Sequence, residues 1–151
     1  MSNKKNTSNA TYRNIGNTCT VFNLRKATRT MTTLYEDLMR PSGLRVTQFS
    51  LLVATQNLGP VTISTLAEAM VMDRTTLTRN LKPLEREGFL VTTLGIDQRS
   101  REVSLTDKGL IKLNEALPMW EQAQETVINK IGKNQLTSII NDLNLLVKIG
   151  N

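Results

Sequence analysis

The sequence predicts a mainly α-helical chain with one small β element near its middle. Long stretches on both sides of the middle carry apolar residues at three- and four-residue spacing, which is the period of an α-helix. Between them, residues 89–93 and 103–105 are β-branched and apolar runs around a polar segment, which indicates a hairpin. With 151 residues, of which 39% are hydrophobic, we expect one domain with a real core and helical extensions.

The charge balance favours an anionic partner. Lys and Arg number 19 against 13 Asp and Glu, which gives a net charge of +6 and a pI of about 9.8. Nucleic acid is the commonest partner of such a chain. A membrane surface is the alternative, but it requires an amphipathic helix with a dense basic face, and the sequence contains none. The polar N-terminus has no secretory signal and no apolar run is long enough to span a membrane, so we expect a cytoplasmic location.

The residue types that most enzymes and metal sites use are scarce. The chain has no histidine and one cysteine. We therefore expect no zinc site, no disulfide within the chain and no histidine-based catalytic triad. A glycine loop for phosphate binding is also absent. The composition argues against an enzyme and against a metal or other cofactor.

The stretch from Asp73 to Gly88 predicts a helix with two different faces. Leu77, Leu81 and Leu84 recur at i, i+4 and i+7 and form one apolar stripe. Asp73 is expected to cap the first free amides, and Gly88 to end the helix in a left-handed turn. The opposite face carries hydroxyls and cations without a carboxylate: Thr75, Thr78, Arg79, Lys82 and Arg86. Taken alone, this is also the pattern of an ordinary solvated surface helix.

The segments just before this stretch predict the rest of a helix-turn-helix. Residues 46–58 have a helical pattern, and the β-branched residues 61–63 indicate a short strand. Thr65 and Glu68 have capping-box spacing, which predicts a short helix that begins there. Two short helices in sequence, the second with a basic hydroxylated face, are typical of a DNA-binding helix-turn-helix. Pro83 lies inside the second helix and is expected to kink it.

The hairpin that follows has its charges at the tip. Its loop, residues 94–101, contains one aspartate and two arginines. A ribbon of this kind directly after a helix-turn-helix is a wing, and an arginine at its tip can enter a narrow minor groove. We expect Asp97 to hold the Arg99 guanidinium in one rotamer. The alternative is a surface turn with a solvated salt bridge.

Long helical patterns flank this core on both sides. They cover residues 14–39, residues 106–131 and residues 135–149. Thr106 is expected to cap the second of these helices, and Pro118 to bend it. Their apolar surface exceeds what a small winged core can cover. The surplus predicts a dimer interface that is built from both ends of the chain.

The sequence therefore divides into three kinds of segment. Residues 1–13 are expected to form a disordered polar tail. Residues 14–45 and 107–151 are expected to form dimerisation helices. Residues 46–106 between them are expected to form a winged helix-turn-helix, so the fold class is mainly α with a small β-wing.

Two segments resemble the MarR family of bacterial transcriptional regulators. DQRSREVSLTDKG, residues 97–109, is similar to the wing signature of that family, and LKPLEREGFL, residues 81–90, to the end of its recognition helix and its first wing strand. The resemblance covers nearly the whole chain after about Asn14. It implies a homodimer, usually a repressor, that binds a pseudo-palindromic operator and in many members responds to a small aromatic or lipophilic ligand.

The resemblance also assigns residues to the DNA. It implies that threonines and an arginine of the second helix read the major groove, and that Asp97 and Arg99 form the wing-tip pair. Lys82, Arg86 and the wing are expected to contact phosphates. The candidate DNA-binding residues are Arg74, Thr75, Thr76, Thr78, Arg79, Lys82, Asp97, Arg99 and Arg101.

Some members of the family respond instead to cysteine oxidation, which directs attention to Cys19. It lies near the start of the first long helix, where those members have their cysteine, and Tyr35 is the expected hydrogen-bond partner of its thiolate. The sequence departs from that pattern, because those members use two tyrosines and the other one here is Tyr12. Single buried cysteines mostly act as small hydrophobic residues.

The expected function is a sequence-specific DNA-binding regulator, a homodimeric repressor that a small-molecule or oxidant signal releases. The alternative is a winged-helix protein-interaction module without specific DNA binding. An acidic or hydrophobic outer face on the second helix would favour that alternative, and the face is basic.

Overall fold

A computed structural model of the chain describes residues 9–97 and 99–150. These residues form helices with a small sheet, which confirms the predicted fold class. The elements in chain order are α1 (Asn9–Thr18), α2 (Thr20–Met39), α3 (Val46–Leu58), β1 (Val61–Thr62), α4 (Ile63–Ala69), α5 (Arg74–Arg86), β2 (Leu90–Leu94), β3 (Arg101–Leu105), α6 (Asp107–Ile131) and α7 (Lys133–Ile149).

The sheet is an antiparallel hairpin with a third short strand at one edge. Its order is β1-β3-β2, with Val61 opposite Val103 and Leu90 opposite Leu105. The predicted strand near residue 61 is therefore confirmed, and it extends the hairpin. β1 leads directly into α4, so the sheet and the helix-turn-helix are one unit.

The apolar stripe of α5 lies in the centre of the core. Leu77, Leu81 and Leu84 are at most 2% exposed, which confirms the predicted inner face. They join a cluster contributed by α2, α3, α4 and β3: Met39, Phe49, Leu51, Leu52, Leu66 and Val103. Since the inner face is fixed by this packing, the opposite face of α5 must point to solvent.

The first long helix is broken where the sequence predicted continuity. Cys19 has extended dihedral angles (φ −67°, ψ 115°) and separates α1 from α2. The side-chain amide of Asn23 donates to the Gly16 carbonyl at 3.3 Å, an acceptor that the break leaves free. It also donates to the Cys19 carbonyl at 2.9 Å, which accepts the backbone N–H of Asn23 as well. Residues 9–13, expected in the disordered tail, are part of α1, whereas residues 1–8 lie outside the described residues.

Two other helix starts differ from the prediction. α4 begins at Ile63, and the Thr62 hydroxyl oxygen accepts from the backbone N–H of Thr65 at 3.1 Å, so the capping box predicted at Thr65 is wrong. α7 begins at Lys133, because Gly132 alone, with φ +85°, makes the break after α6. The helices α5 and α6 each continue through their internal prolines, and the bends predicted there stay predictions.

The last helix is left largely uncovered within one chain. α7 contains no buried residue. Its exposed apolar side chains are Ile139, Ile140, Leu145, Leu146, Val147 and Ile149. Among the described residues, no helix has the length and apolar content needed to cross a membrane.

Candidate nucleic-acid interface

α5 begins at a cap that Asp73 makes with Thr76. One carboxylate oxygen of Asp73 accepts from the Thr76 backbone N–H at 2.8 Å, and the other accepts from the Thr76 hydroxyl at 2.6 Å. The hydroxyl bond first and the backbone bond second hold the pKa of Asp73 below its usual value. The predicted cap is therefore confirmed, and the carboxylate lies at the helix end where the dipole favours a negative charge.

The outer face of α5 is a shallow cationic cleft. It is lined by Arg74, Thr75, Thr78, Arg79 and Lys82, all of which are exposed. Most of the α5 residues predicted to bind DNA thus lie together. Thr76 is the exception, because it is half-buried and its hydroxyl is committed to the cap.

The three threonine hydroxyls of this helix are not equivalent. The hydroxyl of Thr78 donates to the Arg74 carbonyl at 2.7 Å, and that of Thr76 donates to Asp73. Within the described residues, the hydroxyl of Thr75 makes no such bond and keeps its donor for an external acceptor. Thr75 is therefore the threonine best placed to hydrogen-bond a base edge or a phosphate.

The carboxylate of Glu85 is turned away from this cationic face. Its Oε1 accepts a hydrogen bond from the Thr92 hydroxyl on β2. The bond ties the second half of α5 to β2. It also keeps a negative charge off the surface that would meet phosphates.

The tip of the wing is a tied turn. The N–H of Arg99 donates to Asp97 Oδ1 at 3.1 Å, and the N–H of Ser100 donates to the Asp97 carbonyl at 2.7 Å. The carboxylate of Asp97 thus binds backbone, and the predicted contact with the Arg99 guanidinium is wrong. A short carboxylate reaches the amide two residues later at little entropic cost, whereas fixing the long Arg99 side chain in one rotamer costs more.

The two wing arginines are consequently unengaged. Arg99 and Arg101 are exposed, and neither makes an ion pair with any described residue. Their guanidinium groups are available to phosphates or to a minor groove, where the potential is most negative. Residue 98, between Asp97 and Arg99, lies outside the described residues.

A group of contacts that the sequence analysis missed joins α6 to the end of α5; we call Thr106, Lys108 and Gly109 the α5–α6 clamp. The Thr106 hydroxyl donates to the Gly88 carbonyl at 2.6 Å and accepts from the Gly109 N–H at 3.0 Å. The Lys108 ammonium donates to the Glu87 carbonyl at 2.6 Å. The clamp links the end of α5 directly to the start of α6.

Gly109 is required for this close approach. A Cβ at that position would lie 2.1 Å from the Phe89 carbonyl oxygen, which is backbone and cannot move aside. The predicted cap at Thr106 is confirmed. A threonine followed three residues later by glycine, directly after a strand, is the one sequence signal that could have indicated the clamp.

The expected pairing of Tyr35 with Cys19 is not formed within the chain. The Tyr35 hydroxyl donates to Gln124 Oε1, which ties α2 to α6, and burial raises the pKa of Tyr35. Cys19 is half-buried and free at the break between α1 and α2. A sensing role for Cys19 stays a prediction.

Two apolar grooves lie between the helices. The α2–α3–α6 groove has a volume of about 520 Å³, and Phe49 and Trp120 stack along it with ring centroids 6.3 Å apart. The α2–α6–α7 groove has a volume of about 680 Å³ and is lined mainly by aliphatic side chains and threonines. Both grooves lie where the long helices meet each other or meet the winged core.

The comparisons with known proteins agree with this geometry. Residues 44–92, which run from just before α3 to the middle of β2, match the sequence model of the MarR family. The transcriptional regulator MosR of M. tuberculosis, solved in complex with DNA, is 34% identical with a TM-score of 0.77, and the match covers 88% of this chain and 98% of that one.

Other relatives point the same way. The transcriptional regulator SarZ of Staphylococcus epidermidis is 33% identical over 76 residues, which are 50% of this chain and about half (51%) of that protein. The transcriptional repressor CouR, solved with a 23-mer DNA duplex, has a TM-score of 0.79 and covers 91% of this chain and 96% of its own. At 22% identity, that likeness shows the fold alone.

The fold and the cationic face define a winged helix-turn-helix DNA-binding transcriptional regulator, not an enzyme. The chain belongs to the MarR family.

Proposed function

We propose that the protein is a homodimeric repressor that binds a pseudo-palindromic operator and is released by a small-molecule signal. The observation that supports DNA binding is that the chain has both a cationic outer face on α5 and two wing arginines that make no ion pair with a described residue. The side chains of both surfaces are polar and exposed. A regulator of this kind acts in the cytoplasm, where the DNA is.

The dimer is supported by apolar surface at both ends of the chain. α7 has no buried residue, and exposed apolar side chains also lie on α1 and the first turn of α2. The uncovered residues on the first two helices are Tyr12, Ile15, Val21 and Phe22. Exposed apolar side chains in such number on three helices are typical of a protein–protein interface. A second copy of the chain is the economical partner, since two-fold dimers are the commonest oligomers.

In this dimer, each copy would place α5 in a major groove and its wing over the adjacent minor groove. Two recognition helices related by a two-fold axis meet half-sites about 34 Å apart, one turn of B-DNA. Thr75 and Arg79 are the candidates for base contacts, because both are exposed and Thr75 has a free donor. Arg74, Lys82, Arg99 and Arg101 would supply phosphate or minor-groove contacts.

The signal is proposed to enter the α2–α3–α6 groove. That groove is lined by aromatic and aliphatic side chains and lies between a dimerisation helix and the winged core, so a small aromatic or lipophilic molecule fits its chemistry. CouR has also been solved bound to p-coumaroyl-CoA; at 21% identity that ligand belongs to CouR, and the class proposed here rests on the groove. Oxidation of Cys19 is the second candidate signal.

The operator claim is tested by selection of duplexes from a random pool. The purified protein is expected to enrich one two-fold-symmetric sequence, and fluorescence anisotropy at two salt concentrations should show affinity that falls steeply as salt rises. Arg99→Ala should weaken binding by about 1–3 kcal/mol without unfolding the protein. A chain that enriches no sequence would be a protein-interaction module instead.

The signal claim is tested with the chain's single tryptophan, Trp120, which lines the groove. Benzoate and decanoate serve as aromatic and lipophilic probes. A probe that enters the groove should change the fluorescence of Trp120 and lower operator affinity over the same concentration range. If operator affinity falls without a change in tryptophan fluorescence, the ligand binds outside this groove. If affinity falls only after mild peroxide, and not in Cys19→Ser, the signal is oxidation of Cys19.

A further inference from the structure

The tip of the wing carries an apolar side chain that stands entirely in water. Ile96 has a relative exposure of 102%, and Leu94 at the end of β2 is 68% exposed. An apolar side chain contributes to folding by leaving water, and Ile96 does not do so. It lies in the same loop as Asp97 and Arg99, between the end of β2 and the start of β3.

The backbone behind Ile96 is held firmly. The N–H of Gly95 donates to the Ser100 carbonyl at 2.9 Å, and the turn is closed by the bonds from Ser100 and Arg99 to Asp97. A Cβ at Gly95 would lie 2.4 Å from Ser100 Oγ and 2.9 Å from Glu102 Oε1, so the turn is packed from behind. A side chain on a fixed backbone loses little further entropy when it meets a partner.

The charges near Ile96 indicate which partner the wing tip would bind. Arg99, in the same loop, and Arg101, at the start of β3, are exposed and make no ion pair with any described residue. Such cations draw the tip towards a narrow minor groove, where the phosphates of both strands lie close together. Proteins that enter the minor groove often insert an apolar wedge, isoleucine among them, between two base pairs.

We propose that Ile96 is such a wedge: it enters the minor groove beside Arg99 and partly unstacks one base step in each flank of the operator. The inference rests on the operator-bound dimer proposed above and adds a residue that determines sequence preference without hydrogen bonds. Pyrimidine–purine steps unstack most easily, so the flanks should favour TA or CA/TG at the contacted position. The arginine supplies attraction, and the isoleucine supplies the preference for a deformable step.

The experiment uses the full chain and the duplex that it selects from a random pool. 2-Aminopurine is placed in turn at each purine of the flanks, where its fluorescence rises when it unstacks. The wild-type protein should raise the fluorescence at one step in each flank. Ile96→Ala should abolish that rise and weaken binding roughly tenfold, with an unchanged salt dependence because no charge is removed.

Two variants serve as controls. Leu94→Ala removes a similar exposed apolar side chain from the end of β2 and should leave both the fluorescence rise and the affinity unchanged. Ile96→Met keeps an apolar wedge and should restore most of the rise. Because Ile96 is fully exposed, circular dichroism and the melting temperature of all three variants should equal those of the wild type.

The outcomes separate the wedge from DNA binding itself. An Ile96→Ala protein that still unstacks the flank step overturns the wedge while operator binding stands. A variant that binds more weakly but shows the same fluorescence rise also overturns it, since Ile96 would then only pack against the groove wall. A wild-type chain that selects no duplex removes both proposals together.

Discussion

The ammonium of Lys108 donates a 2.6 Å hydrogen bond to the backbone carbonyl of Glu87, at the end of the recognition helix. The same ammonium lies 5.3 Å from the centre of the Phe89 ring, in cation–π distance. A positive charge here also interacts favourably with the negative, C-terminal end of the dipole of α5. This one side chain therefore couples α6, an expected dimerisation helix, to the helix expected in the major groove.

Lys108→Met should loosen this coupling. We expect stability to fall by about 1 kcal/mol, as for loss of one hydrogen bond, and operator affinity to fall further than the lost charge alone explains. Anisotropy titrations and urea unfolding measure the two effects. Lys130→Met removes the same charge from the far end of α6, and equal losses of affinity in both variants would contradict a positioning role for Lys108.

Gly109→Ala should be strongly destabilising. The added methyl group would meet the Phe89 carbonyl oxygen at 2.1 Å, and overpacking against backbone costs roughly 1–3 kcal/mol or more. Gly16→Ala is the matched control, because nothing lies within 4 Å of a Cβ there, and Ala replaces Gly inside a helix. That control should gain about 0.5–1 kcal/mol. Urea unfolding that shows equal effects for the two variants would refute the close approach of α6 to β2.

The first two threonines of α5 should have opposite roles. Thr76→Ala removes the hydroxyl that binds Asp73, so it should lower the melting temperature. Thr75→Ala should leave the melting temperature unchanged and weaken operator binding, because this hydroxyl has no partner among the described residues. Thermal melts and anisotropy on the same preparations provide both readouts. If Thr75→Ala destabilises the fold and binds normally, the assignment is reversed.

The cap also predicts a pH dependence of stability. The pKa of Asp73 is lowered, first by its bond to the Thr76 hydroxyl, so the carboxylate binds fewer protons in the folded state than in the unfolded state. Its contribution is therefore present at neutral pH and is lost as the pH falls through the folded pKa, below the ordinary value of about 3.8. The stability gap between the wild type and Asp73→Asn should shrink as the pH is lowered past 4. A gap that stays constant from pH 7 to pH 3 would contradict the cap's ionic character.

The proposed dimer interface makes a prediction about α7. Leu145 is 60% exposed within one chain, and Leu145→Asp should convert a dimer to a monomer in sedimentation equilibrium, because it would bury an unpaired carboxylate. Asn144→Asp adds the same charge to the neighbouring exposed position and should leave the mass unchanged. If both variants stay dimeric, the interface lies elsewhere.

The parts of the fold that follow from local patterns were predictable from the sequence. The leucine stripe, the hairpin and the caps at Asp73 and Thr106 depend on residues within a few positions of each other. The break at Cys19 was not predicted because the residue there is neither glycine nor proline, and the Asn23 side chain satisfies the Gly16 carbonyl that the break leaves free. The cap at Thr62 was not predicted because Thr65 and Glu68 have the spacing of a capping box. The end of β1 at Thr62 makes that threonine the cap.

The candidate site was predictable in composition and less so in its bonding. The cationic residues of α5 lie together as the helical period requires. The wing tip differs, because Asp97 had two possible partners in Arg99 and the sequence does not rank a backbone amide above a guanidinium. The α5–α6 clamp joins residues about twenty positions apart, such as Lys108 and Glu87, and such contacts depend on how the helices pack.

The most direct test of the account is a footprint of the wild-type protein on its selected duplex, combined with the mass of the complex in solution. The account predicts two chains per duplex and two protected major-groove segments about one helical turn apart, each flanked by a protected minor groove. One chain per duplex, a single protected segment, or protection without minor-groove flanks would contradict it.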